Sequence, residues 1–138
     1  MRRRRLASVL ALAVALLVGA DGAHAQRATE RYIPLGQSPG ASGTLTSIGT
    51  IVAVDREAHR ISLEGPTGRV TVALQDSTSI WIDRHERGLG AATGSFADCY
   101  EGRMAEVKYA DPDTRQVAEW VKLRAEGGGS RTENHSTF

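Results

Sequence analysis

Cysteine is almost absent from this 138-residue chain, and Cys99 is the single one. A single cysteine cannot form an intramolecular disulfide, so a disulfide-stapled scaffold is excluded and an apolar core must supply the stability. A free cysteine also behaves as a small buried hydrophobe. No lysine or histidine neighbours Cys99 in the sequence to favour a reactive thiolate, so we interpret it as a core residue rather than a reactive or intermolecular thiol.

The short motifs that carry most enzyme chemistry are also missing. The chain has no Gly-x-Ser-x-Gly elbow, no His-Glu-x-x-His, no phosphate-binding glycine loop and no Cys-x-x-Cys. A nucleophile needs a base within hydrogen-bond reach and a third group that orients the base. Among the histidines after the first 25 residues, only His85 lies among other functional side chains. We therefore expect no enzyme and no cofactor.

An excess of basic charge is lacking once the first 25 residues are set aside. Those residues hold four of the 17 basic residues and one of the 16 acidic ones, so 13 basic and 15 acidic residues remain, a net charge of −2. Single-stranded nucleic acid is bound in a positively charged groove with interleaved aromatic side chains. This balance gives no electrostatic reason for such a groove, and we expect no nucleic-acid partner.

A long hydrophobic run occurs only near the N-terminus. Four arginines precede an apolar run over residues 6–20, and the small-x-small triplet Ala23-His24-Ala25 follows. This order predicts a signal peptide over residues 1–25 and a periplasmic or secreted protein. The run is shorter than the roughly 20 residues that a membrane-spanning helix needs. An uncleaved anchor, which would tether the protein to a membrane, is the alternative.

Residues 26–43 are rich in proline and glycine, which excludes a helix and favours extended or turn structure. Tyr32, Ile33 and Leu35 are apolar for a linker, so this segment is either a flexible spacer or an arm pinned against the rest of the protein. Residues 125–138 contain a Gly-Gly-Gly-Ser stretch among polar residues. We expect this tail to be disordered.

Apolar residues alternate with polar ones through residues 44–124, which is the pattern of half-buried strands. In the first of these strands, alternation places Ile48, Val52 and Val54 on one face. Glycines interrupt the pattern over residues 84–101, where we expect a loop with one helical turn near 95–99. The predicted strands cover residues 44–54, 59–64, 69–74, 77–83, 102–109 and 116–124.

Five to six short antiparallel strands without a helix of ordinary length predict an all-β domain. Closing them into a barrel removes the exposed strand edges that promote aggregation. We therefore expect a small OB-like barrel over residues 44–124, with an extended N-terminal arm and a disordered C-terminal tail.

The segment from Gly43 to Arg124 resembles a family of small exported bacterial OB-fold-like domains of unknown function. The matching stretches are GTLTSIGTIVAVD, HRISLEGPTGRVTVAL, DSTSIWI, FADCYEGRMAEVKY and VAEWVKL. The resemblance implies the fold and the export and brings no catalytic residues. It also places Cys99 in a position that leucine usually occupies in such domains.

Three large apolar side chains fall on the face away from the predicted core. Alternation directs Trp81, Trp120 and Met104 outward, and such residues need cover. Either the arm or the loop covers them, or they form an outward patch. Tryptophan is favoured at binding anchors. We therefore predict a non-catalytic binding or accessory module that docks an envelope protein or a small ligand on these residues.

A periplasmic copper-binding protein is the alternative function. Asp83 and His85 are two residues apart, so they share a face if the strand continues. A soft Cu(I) ion prefers thiolate or thioether ligands, which Cys99 and Met104 would supply. The four residues can meet only if the loop over 84–101 folds back across the barrel, and two ligands alone are too few for a closed site.

Overall fold

The computed structural model describes residues 29–38 and 45–126. The predicted signal peptide, the residues from 39 to 44 and the tail from 127 onward lie outside the described residues. From Arg31 onward, the described residues belong to one compact unit. In these described ranges no helix is long and apolar enough to cross a membrane.

Seven strands form one mixed sheet in the order β3-β2-β1-β6-β7-β4-β5. All neighbours pair antiparallel except β4 and β7, which are parallel. The strands are β1 (Thr46–Asp55), β2 (Arg60–Gly65), β3 (Gly68–Ala73), β4 (Ser79–Asp83), β5 (Ala92–Thr93), β6 (Met104–Tyr109) and β7 (Ala118–Arg124).

The all-β class is confirmed, but the predicted closed barrel of five to six antiparallel strands is corrected to an open seven-stranded sheet. The extra strand, β5, is a two-residue partner of β4 inside the predicted loop. Strands β3 and β4 follow each other in the chain yet lie near opposite ends of the strand order. After β3 the chain crosses to the other side of the strand order, where β4 pairs parallel with β7.

One end strand of the sheet, β3, approaches the start of β7 at one point. Ala73, at the end of β3, forms a parallel bridge with Val117, just before β7. The Ala73 amide donates a hydrogen bond to the Gln116 carbonyl at 2.8 Å. The five residues from 74 to 78 then lead to β4, and five residues span less than about 18 Å. The sheet is therefore strongly curled.

The hydrophobic core lies on one face of this curled sheet. Cys99 belongs to it with no exposed surface, which confirms the interpretation of that cysteine as a core residue. A single turn of 3-10 helix over Phe96–Asp98 precedes it, as predicted, and Ser95 and Asp98 form its capping box. The other buried core residues are Ile51, Ile61, Leu63, Val72, Leu74, Ala105, Val107, Tyr109, Ala118, Val121 and Leu123.

A β-bulge corrects the predicted facing of β1. The register to β2 shifts between Ile51 and Ala53, so one extra residue enters β1. As a result Ile51 and Val54 both pack in or against the core. Ile48 pairs with Glu106 on the opposite face. Strict alternation fails here because a bulge inserts one residue and reverses the facing of everything beyond it.

Candidate functional site

The face opposite the core carries an unusual set of buried polar side chains. Glu106 of β6 is the register partner of Lys122 of β7, and Lys122 is in turn the partner of Trp81 of β4. Side chains two residues apart share a face, so Trp120 and Asp83 belong to the same surface. We call these five side chains, with Ile48, the arm face, and residues 31–38 the arm.

The arm face contains both tryptophans, with ring centroids 5.7 Å apart. Their orientation away from the core cluster agrees with the predicted alternation. Of the two alternatives left open for these side chains, cover by the chain itself is the one observed, because Trp81 is only 7 % exposed and Trp120 is 0 % exposed. The arm, one of the two covers considered, lies across this face, so Trp81 and Trp120 are not free surface anchors in this conformation.

A β-turn in the arm contacts the face. The Gln37 amide donates to the Pro34 carbonyl at 3.0 Å, which closes the turn. Gly36, the third residue, has φ of 85°. A positive φ at this position is typical of a type II turn and favours glycine. A turn of this kind leaves the amides of its two central residues, Leu35 and Gly36, free to bond elsewhere.

Two carboxylates of the sheet accept these two amides. Leu35 N–H donates to Asp83 Oδ2 at 2.8 Å, and Gly36 N–H donates to Glu106 Oε2 at 2.7 Å. Hydrogen bonds to a charged acceptor are shorter and about twice as strong as neutral ones. Each carboxylate thus binds one main-chain N–H of the same turn.

Lys122 binds the chain on both sides of the turn. Its ammonium donates to the Ile33 carbonyl at 2.8 Å and to Ser38 Oγ at 2.9 Å. The same ammonium lies 4.5 Å from the centroid of the Trp120 ring, a cation–π distance. The lysine is almost wholly buried, so the arm and the tryptophan together replace the water that it loses.

The side chains of the arm contribute little to this contact. Leu35 is buried and supplies the apolar part, whereas Tyr32, the largest side chain of the arm, is 71 % exposed. Most polar contacts of the arm with Asp83, Glu106 and Lys122 use main-chain atoms. The contact therefore depends on the backbone shape of the arm more than on its side chains.

Two buried polar atoms along this contact have no hydrogen-bond partner among the described residues. They are Glu106 Oε1 and Arg31 Nε. Arg31 is otherwise bound through Nη2 to the Ala91 carbonyl at 3.2 Å. Because buried polar atoms in native proteins are nearly all paired, each such atom calls for an explanation.

The residues of the predicted metal site are not brought together. Asp83 accepts the His85 amide at Oδ1, 2.8 Å away, and the Leu35 amide at Oδ2. Cys99 lies in the core, on the other face from Asp83. Burial, and then the nearby Asp98 carboxylate, raises the pKa of the Cys99 thiol to about 11. In the described part of the chain, no group of three or more His, Cys, Asp and Glu side chains is placed to hold a metal ion.

Met104 lies on the same sheet face as Glu106, two residues along β6, and this facing agrees with the predicted alternation. It is half-buried and lines a cleft of about 550 Å³ together with Tyr100, Arg103 and Arg124. Arg103 donates to the Arg124 carbonyl at 2.8 Å and to the Asp98 carbonyl at 3.0 Å. The guanidinium of Arg103 is thus engaged in holding the loop at this cleft.

Glu106 and Lys122 were not among the residues predicted for the site. The same alternation that directs Trp120 away from the core also directs Lys122, two residues later, to the same face. Glu106 stands likewise between the core residues Ala105 and Val107. The sequence pattern that could have identified Lys122 is its position two residues after Trp120, which puts a charged side chain on the same face as a tryptophan that needs cover.

Comparison with protein-family models, curated proteins and solved structures finds no match for this chain. The resemblance to exported OB-fold-like domains stays a prediction.

Proposed function

We propose that this protein is an exported, non-catalytic binding module that docks a segment of an envelope protein on the arm face. One observation carries the proposal: three charged side chains, the buried Glu106 and Lys122 and the half-buried Asp83, all bind main-chain atoms of an eight-residue segment. In this conformation the arm occupies the face, and the partner segment takes its place.

The energetics of buried charge support a recognition role. Replacing a buried ion pair by well-packed apolar residues is often neutral or stabilising, by about 1–4 kcal/mol. A strap that served stability alone would gain as much from an apolar face. Charged groups aimed at N–H and C=O atoms select one main-chain geometry, because a segment that lacks the matching groups leaves the charges buried and unpaired.

The curled sheet supports an OB-like architecture as part of this proposal. The features that support it are the antiparallel run of β1, β2 and β3, the parallel pairing of β4 with β7, and the bridge from Ala73 at the end of β3 to Val117 just before β7. OB-fold proteins bind their ligands on a strand face and the adjoining loops. An exported protein would meet this partner in the periplasm or outside the cell, or at a membrane if the predicted leader is retained.

The experiment compares full-length chains in which the arm is held or released. The arm-open variant carries Leu35→Ser and Gly36→Val, which remove the buried side chain and place a branched residue at φ of 85°. Tyr32→Ser is the matched control, since that side chain is exposed. Circular dichroism and melting curves establish that each chain is folded.

Each protein is then crosslinked in an envelope extract. We expect the arm-open variant to capture a discrete protein more efficiently than the wild type and Tyr32→Ser. Adding Glu106→Gln and Asp83→Asn to the arm-open variant removes the two charged acceptors and should abolish this gain. Equal capture by all four folded chains would overturn the proposal.

A further inference from the structure

We infer that the arm face recognises a glycine β-turn, in which an aliphatic residue and then glycine occupy the two central positions, and that the arm is an internal copy of this ligand. The inference rests on the proposed function and adds the chemistry of the partner segment. The partner is a polypeptide turn rather than a saccharide or a metal ion.

The spacing of the two carboxylates carries this inference. Asp83 and Glu106 lie on β4 and β6, with β7 between them, and they accept the amides of the adjacent residues Leu35 and Gly36. A regular strand points successive N–H groups in opposite directions. Consecutive amides that bond to one surface therefore require a turn, and the positive φ of its third residue requires glycine.

The remaining contacts set few further demands on sequence. Lys122 binds a carbonyl before the turn and a hydroxyl after it, and the only buried apolar residue of the turn itself is Leu35. A methyl group added to Gly36 would lie 3.4 Å from Ile48 Cδ1, in ordinary contact, so conformation rather than space excludes other residues there. Segments of different sequence with this turn should bind.

The arm leaves part of the face unsatisfied. Glu106 Oε1 is buried and has no hydrogen-bond partner among the described residues, although buried carboxylate oxygens are usually paired. A turn that also brings a donor to this oxygen would satisfy more of the face than the arm does. This additional hydrogen bond would let a partner segment bind the face more tightly than the arm does.

The experiment adds peptides to the full-length arm-open variant and measures its melting temperature and tryptophan fluorescence. The first peptide has the sequence of residues 29–38, and the second keeps only the order proline, aliphatic residue, glycine in an otherwise unrelated sequence. Two matched controls alter the first peptide: glycine is replaced by L-alanine, or the leucine amide is replaced by an ester, which removes one N–H.

We expect both turn peptides to raise the melting temperature, since a ligand that binds only the folded state stabilises it. Their dissociation constants should agree within about tenfold because most contacts are to the main chain. The ester and the alanine peptide should bind about tenfold or more weakly, the loss expected for one hydrogen bond to a charged group. The wild type should not respond, because its tethered arm competes at millimolar effective concentration.

The outcomes separate the inference from the proposed function. Binding of the arm sequence alone, or equal binding of the ester and the parent peptide, would overturn the inference. Envelope capture by the arm-open variant that neither turn peptide blocks would also overturn it and leave the proposed function standing. Where the double variant does not fold, the full-length single variant Gly36→Ala takes its place in the same series.

Discussion

Glu106 on β6 and Lys122 on β7 are register partners, and both side chains are fully buried beneath the arm. Residues directly opposite on antiparallel strands have Cβ atoms about 4.5–5.5 Å apart. Opposite charges at this separation compensate each other where water is excluded. This pairing therefore lowers the free-energy cost of burying the two charged groups, one acceptor and one donor, that bind the arm.

Removing only the cation should destabilise the protein strongly. In Lys122→Met the Glu106 carboxylate loses its cross-strand cation, and the Ile33 carbonyl and Ser38 lose their donor. We expect a loss of about 3–5 kcal/mol in the free energy of unfolding, measured in urea. The double variant Glu106→Leu/Lys122→Met should lose less than Lys122→Met alone, since no buried charge is left unpaired.

A second cross-strand pair provides the control. Arg69 and Glu64 are register partners on β3 and β2, 3.0 Å apart, with more than half of each side chain exposed. Arg69→Met should cost about 0–1 kcal/mol. Losses for Glu106→Leu and Lys122→Met that simply add in the double variant would show that the two buried charges do not interact.

Two glycines allow β1 and β2 to come very close where the strands meet. A Cβ on Gly65 would lie 2.1 Å from the Ile48 carbonyl oxygen, and a Cβ on Gly49 would lie 2.4 Å from the Glu64 carbonyl oxygen. Gly65→Ala should therefore force the backbone apart and cost about 1–3 kcal/mol. Gly90→Ala is the control, because nothing lies within 4 Å of its added Cβ, and it should change stability by less than about 0.5 kcal/mol. Equal urea midpoints for the two variants would contradict the close approach.

Local patterns identified most strands because alternation and turn residues act over a few positions. The boundaries of β2, β3 and β6 lie within two residues of those predicted. The facing of Trp81 and Trp120 was also predictable, since a period of two holds along β4 and β7. The bulge in β1 was not, because it is set by pairing with β2 rather than by the β1 sequence itself.

The arm contact is nonlocal, which explains why the site was only partly predicted. The bond from Leu35 to Asp83 spans 48 residues and that from Gly36 to Glu106 spans 70. The sequence indicated that an apolar arm and an outward tryptophan pair each needed a partner. It carried no local signal that a turn of the arm would place two amides against two carboxylates on separate strands.

The arm should shield both tryptophans from solvent quenchers. In the wild type we expect blue-shifted emission and weak quenching by acrylamide, because Trp81 and Trp120 are 7 % and 0 % exposed. Gly36→Ala puts an L side chain at a positive φ and should weaken the arm by about 1–2 kcal/mol, which raises the quenching constant. Tyr32→Ser should leave quenching unchanged. An identical quenching constant for wild type and Gly36→Ala would indicate that the arm does not control access.

Cys99 should make stability depend on alkaline pH. Burial, and then the Asp98 carboxylate, raises the thiol pKa from 9.0 to about 11 in the folded chain. Between these values the folded state binds more protons than the unfolded state, so the stability present below pH 9 is lost as the pH rises towards 11. The loss should reach about 2–3 kcal/mol, since one pKa unit corresponds to about 1.4 kcal/mol.

The comparison with Cys99→Ala isolates this thiol from the tyrosines and lysines that titrate in the same range. Urea unfolding of both proteins at pH 8, 9, 10 and 11 gives the difference in their free energies of unfolding at each pH. The stability advantage of the wild type should be constant from pH 8 to 9 and shrink above pH 9, because only the unfolded wild type gains free energy by ionising a thiol that stays protonated in the core. A difference independent of pH would mean that the thiol ionises equally in both states and would contradict the raised pKa.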